Sequence, residues 1–213
     1  MKRIRRSFIA SMCLLAAFVI WTVAICFVDV RAIGPQGSSV GFAGINSFVH
    51  GLTGVNWLLY TVTDWLGLVP IFVCMGFGIL GLVQWIKRKS IRKVDHSIIV
   101  LGVFYIVVMA AYIFFEVAVI NYRPTLIGGY LEASYPSSTT MLVMCVMPTA
   151  IMQLNVRIKN TVLRRCTINV IVAFTAFMVI GRILSGVHWI TDIIGGTLLS
   201  AGLVMLYSSC QAE

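Results

Sequence analysis

Three polar residues with a fixed spacing interrupt the apolar C-terminal part of this chain. Five residues separate Arg182 from His188, and three separate His188 from Asp192. On a helix, residues four apart share one face, so Asp192 would accept a hydrogen bond from one nitrogen of the His188 ring. The other nitrogen is then free to act as a nucleophile or base, and the planar guanidinium of Arg182 can hold an oxyanion. The spacing therefore predicts a site that acts on an anionic substrate.

Two further polar segments contain the residue types that bind phosphate. Arg123 lies in an Asn-Tyr-Arg-Pro segment, and Pro136 precedes Ser137, Ser138 and Thr139. Proline suits the first turn of a helix, where the next residues present free backbone N–H groups and hydroxyls. A helix that begins in this way binds anions. We therefore expect Ser137, Ser138 and Thr139 to contact a phosphate, together with both arginines.

These residue types together predict phosphoryl transfer. Arg123 and Arg182 would stabilise the charge on the phosphoryl oxygens while His188 attacks phosphorus. Water would then hydrolyse the phosphohistidine, and Asp192 would orient the ring and stabilise its positive charge. The chain has no cluster of carboxylates with metal-ligand spacing, so the prediction includes no metal and no cofactor.

The composition is that of an integral membrane protein. The 213 residues are 60% hydrophobic and 11% charged, with a mean hydropathy of +0.98. A soluble domain is about 45–50% apolar and about one quarter charged. The basic residues form short clusters between apolar runs rather than one soluble face, which excludes a nucleic-acid partner. The six cysteines are dispersed without a CxxC pair and are expected to be buried packing residues.

The apolar runs predict an all-α bundle of six transmembrane helices in a single membrane domain, residues 1–213. A spanning helix needs about 20 apolar residues. The expected helices are 7–28, 66–86, 97–120, 137–154, 166–184 and 189–208.

The distribution of basic residues predicts the orientation of this bundle. With six spans, one side of the membrane keeps only Arg31, Arg123 and Arg182 of the 16 lysines and arginines. The positive-inside rule makes the other side cytoplasmic and places both termini there. Residues 29–65 form a non-cytoplasmic segment that either lies in the interface or covers the site, and His50 is expected to be a solvated loop residue. All three polar segments then meet on the non-cytoplasmic side.

At these residues the chain resembles the type 2 phosphatidic acid phosphatase superfamily of membrane lipid phosphatases. The family pattern has three parts, K-x6-RP, PSGH and SR-x5-H-x3-D, and this chain has Arg123-Pro124, Pro136-Ser137, and Arg182, His188 and Asp192 at the family's spacing. The resemblance covers roughly residues 66–208. It implies a six-helix core in the cell membrane with an outward-facing site. It also implies that His188 is the nucleophile, Asp192 its partner, and Arg123 and Arg182 the phosphate ligands.

Two positions depart from this pattern. Glu116 occupies the lysine position, and Thr139 occupies the position of the histidine that protonates the leaving group in the family. Threonine cannot act as an acid at neutral pH, and general acid catalysis typically contributes ~10²–10⁴-fold. Because a diphosphate needs this proton far less than a monoester does, the change favours a polyprenyl diphosphate substrate. Glu116 would either pair with an arginine of the site or, protonated by burial, supply the acid, and Glu132 is another possible acid.

The residues leave three functions open. The first is a membrane lipid phosphatase or diphosphatase whose substrate is a phospholipid or a polyprenyl diphosphate. The second is a phosphotransferase that passes the phosphate from His188 to another lipid. The third is a non-catalytic protein that binds or transports phospholipids and retains the anion site. The sequence does not specify the lipid or the oligomeric state.

Overall fold

The structure is a computed structural model that describes residues 2–211. These residues form a helical bundle without a named β-strand, and only isolated bridges occur in their loops. The α-helices are α1 (Lys2–Phe27), α2 (Ala43–Thr53), α3 (Trp57–Leu66), α4 (Leu68–Arg88), α5 (His96–Val117), α6 (Ser138–Arg157), α7 (Thr161–Leu184) and α8 (Ile190–Cys210).

Among the described residues, 6 helical stretches are long and apolar enough to cross a membrane. Five of them lie in α1, α5, α6, α7 and α8, and the sixth runs through α3 and α4 from Trp57 to Arg88. The all-helical membrane class predicted from the sequence is therefore confirmed. The α3–α4 stretch is the largest difference in helix limits, since the expected helix begins at residue 66. Gly67 has helical φ and ψ angles of −60° and −17° and joins the two helices.

Helices α6 and α8 form the centre of the bundle. Of the 18 most apolar consecutive residues in each of these helices, 56% are buried, against 22% or less in the other four stretches. They are also the least apolar of the six stretches. These two helices can hold polar residues because they face other helices. A polar side chain that faced lipid would cost much more free energy.

Helix α1 supports the segment that leads into α6. The hydroxyl groups of Thr22 and Tyr135 lie 2.7 Å apart, and the ring of Phe18 stacks on that of Tyr135 at 6.2 Å. Nearer the N-terminal end of α1, the Ser11 hydroxyl donates to the carbonyl of Gly202 in α8 at 2.8 Å. These contacts place the start of α6 against α1 and α8, which positions Ser137, the residue before α6.

Charged residues at one end of the bundle join three helices. The carboxylate of Asp95, just before α5, accepts from Arg88 of α4 at 2.9 Å and lies 3.6 Å from Arg157 of α6. Hydrogen bonds from Arg88 and Gln84 hold the pKa of Asp95 below its usual value. The three polar segments singled out by the sequence lie at the opposite end, where α5 and α7 finish and α6 and α8 begin.

Candidate active site

The structure brings the three polar segments together at one end of the bundle. Arg123, Ser138, Thr139 and Arg182 line one cavity of about 560 Å³. His188 lines a second, adjoining cavity of about 10 Å³. The two cavities share four wall residues, which are Tyr112, Glu116, Ala133 and Ser138. Side chains that lie far apart in the sequence therefore surround a single polar region.

The backbone around His188 is not helical, in agreement with the expected helices 166–184 and 189–208. Helix α7 ends at Leu184 and α8 begins at Ile190, so His188 lies in the turn between them. Gly186 adopts a left-handed φ of +65°, and a Cβ at this position would lie 1.7 Å from the carbonyl oxygen of Gly54. Only glycine fits this close approach without strain. His188 and Asp192 therefore do not share a helix face, because only Asp192 lies in α8.

Asp192 reaches His188 through the cap of α8 instead. It is the third residue of that helix, and its Oδ2 accepts from the backbone N–H of Trp189 at 2.9 Å. The side chain of Asn121 donates to its Oδ1 at 3.4 Å. The distance from Asp192 Oδ2 to His188 Nδ1 is 3.7 Å, which is too long for a hydrogen bond but places the carboxylate beside the ring. Asp192 is thus held in place beside the ring by backbone and amide donors.

The contacts of His188 determine which ring nitrogen carries the proton. Its Nε2 lies 3.3 Å from Nη1 of Arg123. A guanidinium can only donate, so Nε2 must be the unprotonated acceptor. The proton then resides on Nδ1, on the side of Asp192. This is the tautomer that a nucleophilic Nε2 requires.

The surroundings of His188 also disfavour its protonation. The side chain is 1% exposed. Burial, followed by the positive charges of Arg123 and Arg182, lowers the pKa of His188 well below 6.5. The imidazole is consequently neutral at physiological pH, with an electron pair available on Nε2.

This lowered pKa predicts how stability depends on pH. As the pH falls through 6.5, the unfolded chain takes up a proton that folded His188 does not, so the free energy of unfolding falls, by at most about 1.4 kcal/mol per pH unit. Between pH 7.5 and 5.5 we expect a larger drop in melting temperature for the parent protein than for His188→Gln. Thermal unfolding of both proteins in the same detergent measures this. Parallel losses in the two proteins would contradict the lowered pKa.

Arg182 is buried and has donors to spare. Its Nη2 donates to Oδ1 of Asp64 at 2.9 Å and also to the hydroxyl of Thr139. Its Nε and Nη1 are buried without a hydrogen-bond partner among the described residues. The guanidinium carbon lies 5.3 Å from the ring centroid of Tyr60, within cation–π range. Because a buried donor without a partner is costly, the two free N–H groups indicate a place for an anion.

Arg123 is held by a carboxylate of its own loop. Its Nε lies 3.1 Å from Oε2 of Glu132, and its backbone N–H donates to the Glu132 carbonyl at 3.0 Å. The Nε contact is an ion pair without the direction of a hydrogen bond, since the same atom has no hydrogen-bond partner. The guanidinium therefore retains its capacity to bind an anion beside His188.

The arginines pair with carboxylates other than Glu116, which is the arginine partner that the sequence suggests. Glu116 makes no ion pair within residues 2–211, whereas Asp64 pairs with Arg182 and Glu132 pairs with Arg123. Glu116 is exposed at the end of α5 and lines both cavities. Glu132, considered above as an acid, serves in the structure as a partner of Arg123.

The three residues at the start of α6 take different positions. Thr139 contacts Arg182 through its hydroxyl, and Ser138 lines both cavities. Ser137 is fully buried, and its backbone N–H donates to the carbonyl of Asp192 at 3.1 Å. Ser137 thus joins α6 to α8, and its contact with phosphate stays a prediction.

Helix α3 contributes Asp64 and Tyr60 to the site, and neither is among the site residues predicted from the sequence. Asp64 is the only acidic residue between Trp57 and Arg88. An ionisable residue within an apolar stretch indicates a functional site by default, so this signal was present. Because residues 57–65 fall within the expected interfacial segment, Asp64 does not stand out there as a residue inside a membrane span.

Helix α2 also packs closer to the site than expected. The buried side chain of Asn46 donates to the hydroxyl of Thr191 at 3.0 Å, at the start of α8. The ring of His50 lies 5.5 Å from that of Trp189, and burial lowers the pKa of His50. The expectation that His50 is a solvated loop residue is therefore wrong. It supports the turn that holds His188.

The described residues form a helical bundle with six stretches that are able to cross a membrane and, at one end, a buried histidine and two arginines. The profile of the PAP2 superfamily matches residues 95–213. This is more than half of the sequence, and the chain belongs to that superfamily. The matched range contains α5 to α8 and all three polar segments, but not Tyr60 or Asp64.

A solved structure shares the fold. It is the crystal structure of a transmembrane PAP2-type phosphatidylglycerolphosphate phosphatase from Bacillus subtilis, which is 18% identical to this chain. The alignment covers 95% of this chain and 96% of the other, with a TM-score of 0.60. No curated protein matches the sequence.

Proposed function

We propose that this protein is a membrane lipid phosphatase that acts through a phosphohistidine at His188. The observation that supports this most strongly is the arrangement of donors around the ring. Arg123 faces the unprotonated Nε2 at 3.3 Å, and Arg182 has two buried N–H groups without a partner. A phosphate placed between the two guanidinium groups would present its phosphorus to Nε2.

The proposed reaction has two steps. First, Nε2 of His188 attacks phosphorus, and the bond from phosphorus to the leaving oxygen breaks while Arg123 and Arg182 stabilise the phosphoryl oxygens. Asp192 stabilises the positive charge that the ring acquires. Water then attacks the phosphohistidine, and the imidazole leaves with its electron pair restored. Burial of His188 favours the neutral ring at the start of each cycle.

The leaving group sets the choice of substrate, because Thr139 bonds to Arg182 and cannot supply a proton. Attack at the terminal phosphorus of a polyprenyl diphosphate expels polyprenyl phosphate, which is a far better leaving group than a lipid alkoxide. A phosphomonoester is cleaved well only if another group supplies the proton. Both classes of lipid phosphate are therefore candidates for this site.

We further propose that the site opens on the non-cytoplasmic side of the cell membrane. The basic loops lie at the end of the bundle that holds Arg88, Asp95 and Arg157, and the candidate site lies at the opposite end. The positive-inside rule places that basic end in the cytoplasm.

This orientation predicts a cytoplasmic C-terminus. The full chain fused at its C-terminus to green fluorescent protein should fluoresce, and the same fusion to alkaline phosphatase should be inactive. Activity of the alkaline phosphatase fusion would place the C-terminus outside and overturn the orientation.

Release of phosphate by the purified full-length protein tests the function. Detergent micelles containing diacylglycerol phosphate or a polyprenyl diphosphate would be assayed with and without an added acceptor lipid. Free phosphate in the absence of acceptor supports hydrolysis. Phosphorylated acceptor supports the phosphotransferase alternative, and binding without turnover of any lipid phosphate supports the non-catalytic alternative, which the changes at Glu116 and Thr139 favour.

A further inference from the structure

The cavity beside His188 has an unusual charge for a phosphate site. Three carboxylates and two guanidinium groups line it, which leaves one net negative charge. Each arginine already has a carboxylate partner, at 3.1 Å for Arg123 and 2.9 Å for Arg182. Glu116 is the carboxylate without an ionic partner in the described part of the chain. A dianionic phosphate that enters such a cavity meets attraction and repulsion together.

The position of Glu116 makes this balance specific to the chain. The family pattern has lysine at this position, so glutamate changes the local charge by two units. A lysine here would help to neutralise a diphosphate or a second acidic group on the substrate. A glutamate repels those groups and attracts a cation. The electrostatics of the cavity therefore oppose the polyprenyl diphosphate that the leaving-group argument alone allows.

The carboxylates are arranged around the cavity rather than gathered at one point. Within residues 2–211, no group of three or more His, Cys, Asp or Glu side chains is close enough to hold a metal ion. Tyr60, Tyr112 and Tyr122 line the same cavity. A cavity lined by both carboxylates and aromatic rings favours an organic ammonium group, which binds through both charge and cation–π contacts.

The buried, unpartnered N–H groups of Arg182 show that an anion belongs in the same cavity. We propose that the substrate is a lipid phosphomonoester with an ammonium group close to the ester oxygen, so that the phosphate contacts the arginines and the ammonium contacts Glu116. This inference rests on the proposed phosphatase function and adds the class of substrate to it.

The same ammonium group supplies the proton that Thr139 cannot. When Nε2 of His188 attacks phosphorus, the P–O ester bond breaks and its electron pair stays on the ester oxygen. The neighbouring ammonium transfers a proton to that oxygen, which yields a neutral amino alcohol and the phosphohistidine. Water then adds to phosphorus and the P–N bond breaks. One water proton stays on the phosphate, and the other passes through a cavity carboxylate to solvent.

A matched pair of substrates tests this proposal with the purified full-length protein. 2-Aminooctadecyl phosphate and its N-acetyl derivative share the chain and the phosphate but differ in the charge on nitrogen. We expect kcat/KM to be about tenfold higher for the amine, from one ionic contact with Glu116 and the proton transfer. The Glu116→Gln variant should reduce this ratio by about threefold, because Asp64 and Glu132 remain.

The control variant is Asp29→Asn, which removes a negative charge outside the cavity, where Asp29 pairs with Arg31 at 2.7 Å. Its ratio should equal that of the parent. Equal hydrolysis of both compounds, a preference for the N-acetyl compound, or faster cleavage of a polyprenyl diphosphate overturns the ammonium proposal and leaves the phosphatase function standing. If the amine, its N-acetyl derivative, diacylglycerol phosphate and the polyprenyl diphosphate all fail to release phosphate, the proposed function fails as well.

Discussion

Replacement of His188 by glutamine should lower phosphate release by on the order of 10⁴-fold, because the nucleophile has no substitute in the cavity. Glutamine preserves most of the volume and can still accept from Arg123, so the fold should persist. The measurement is kcat/KM on the best lipid phosphate, with thermal unfolding to check the fold. With ³²P-labelled substrate, the parent protein should give a phosphoenzyme that is labile to acid and stable to alkali, and the variant should give none.

His96→Gln is the matched control for this prediction. His96 is exposed at the first residue of α5, at the end of the bundle opposite the site. Its variant should retain both the activity and the phosphoenzyme of the parent. Activity of His188→Gln within tenfold of the parent, or a phosphoenzyme that survives the replacement, would show that the phosphoryl group is transferred elsewhere.

The helices and their order are predictable from the sequence because the bilayer imposes strict limits. Each span must satisfy its backbone internally over about 30 Å, so six apolar runs predict six helices. The alternation of sides then brings the segments containing Arg123, Thr139 and Arg182 to one end. Their spacing predicts the chemistry, since it places arginine, histidine and aspartate at adjacent helix ends.

The partners of the arginines are not predictable in this way. Asp64 meets Arg182 across a separation of 118 residues, and neither periodicity nor a motif links them. Glu116 precedes Arg123 by two helical turns in sequence, yet α5 ends at Val117 and the loop turns Arg123 toward Glu132. Side-chain pairing depends on where the loop turns, and hydropathy contains no information about that.

The contact between His188 and Asp192 shows how two residues four apart can lie side by side without sharing a helix. Spacing by four suggests one helix face, but the turn at Gly186 and the cap of α8 bring the two side chains together instead. In the capped arrangement the backbone N–H of Trp189 holds Asp192 in one orientation. An aspartate anchored in this way can stabilise the charged ring without moving during the reaction.

Replacement of Arg182 by lysine should reduce kcat/KM by about 10²–10³-fold, even though the positive charge is retained. The guanidinium of Arg182 bonds to Asp64 and Thr139 through one nitrogen and leaves two N–H groups for the phosphate. An ammonium is a single point of charge and cannot span these partners with the same geometry. The loss should fall mainly on kcat, because the transition state depends most on directed donors. Steady-state kinetics on one lipid phosphate measure both constants.

Arg31→Lys provides the comparison that separates geometry from charge. Arg31 also pairs with an aspartate, at 2.7 Å, but its side chain is 68% exposed and lies outside the cavity. An exposed ion pair contributes little because water screens it, so this exchange should leave kcat/KM unchanged. If Arg182→Lys keeps kcat/KM within threefold of the parent, the site needs only a positive charge at this position. In that case the two free N–H groups of Arg182 do not hold the phosphate in the transition state.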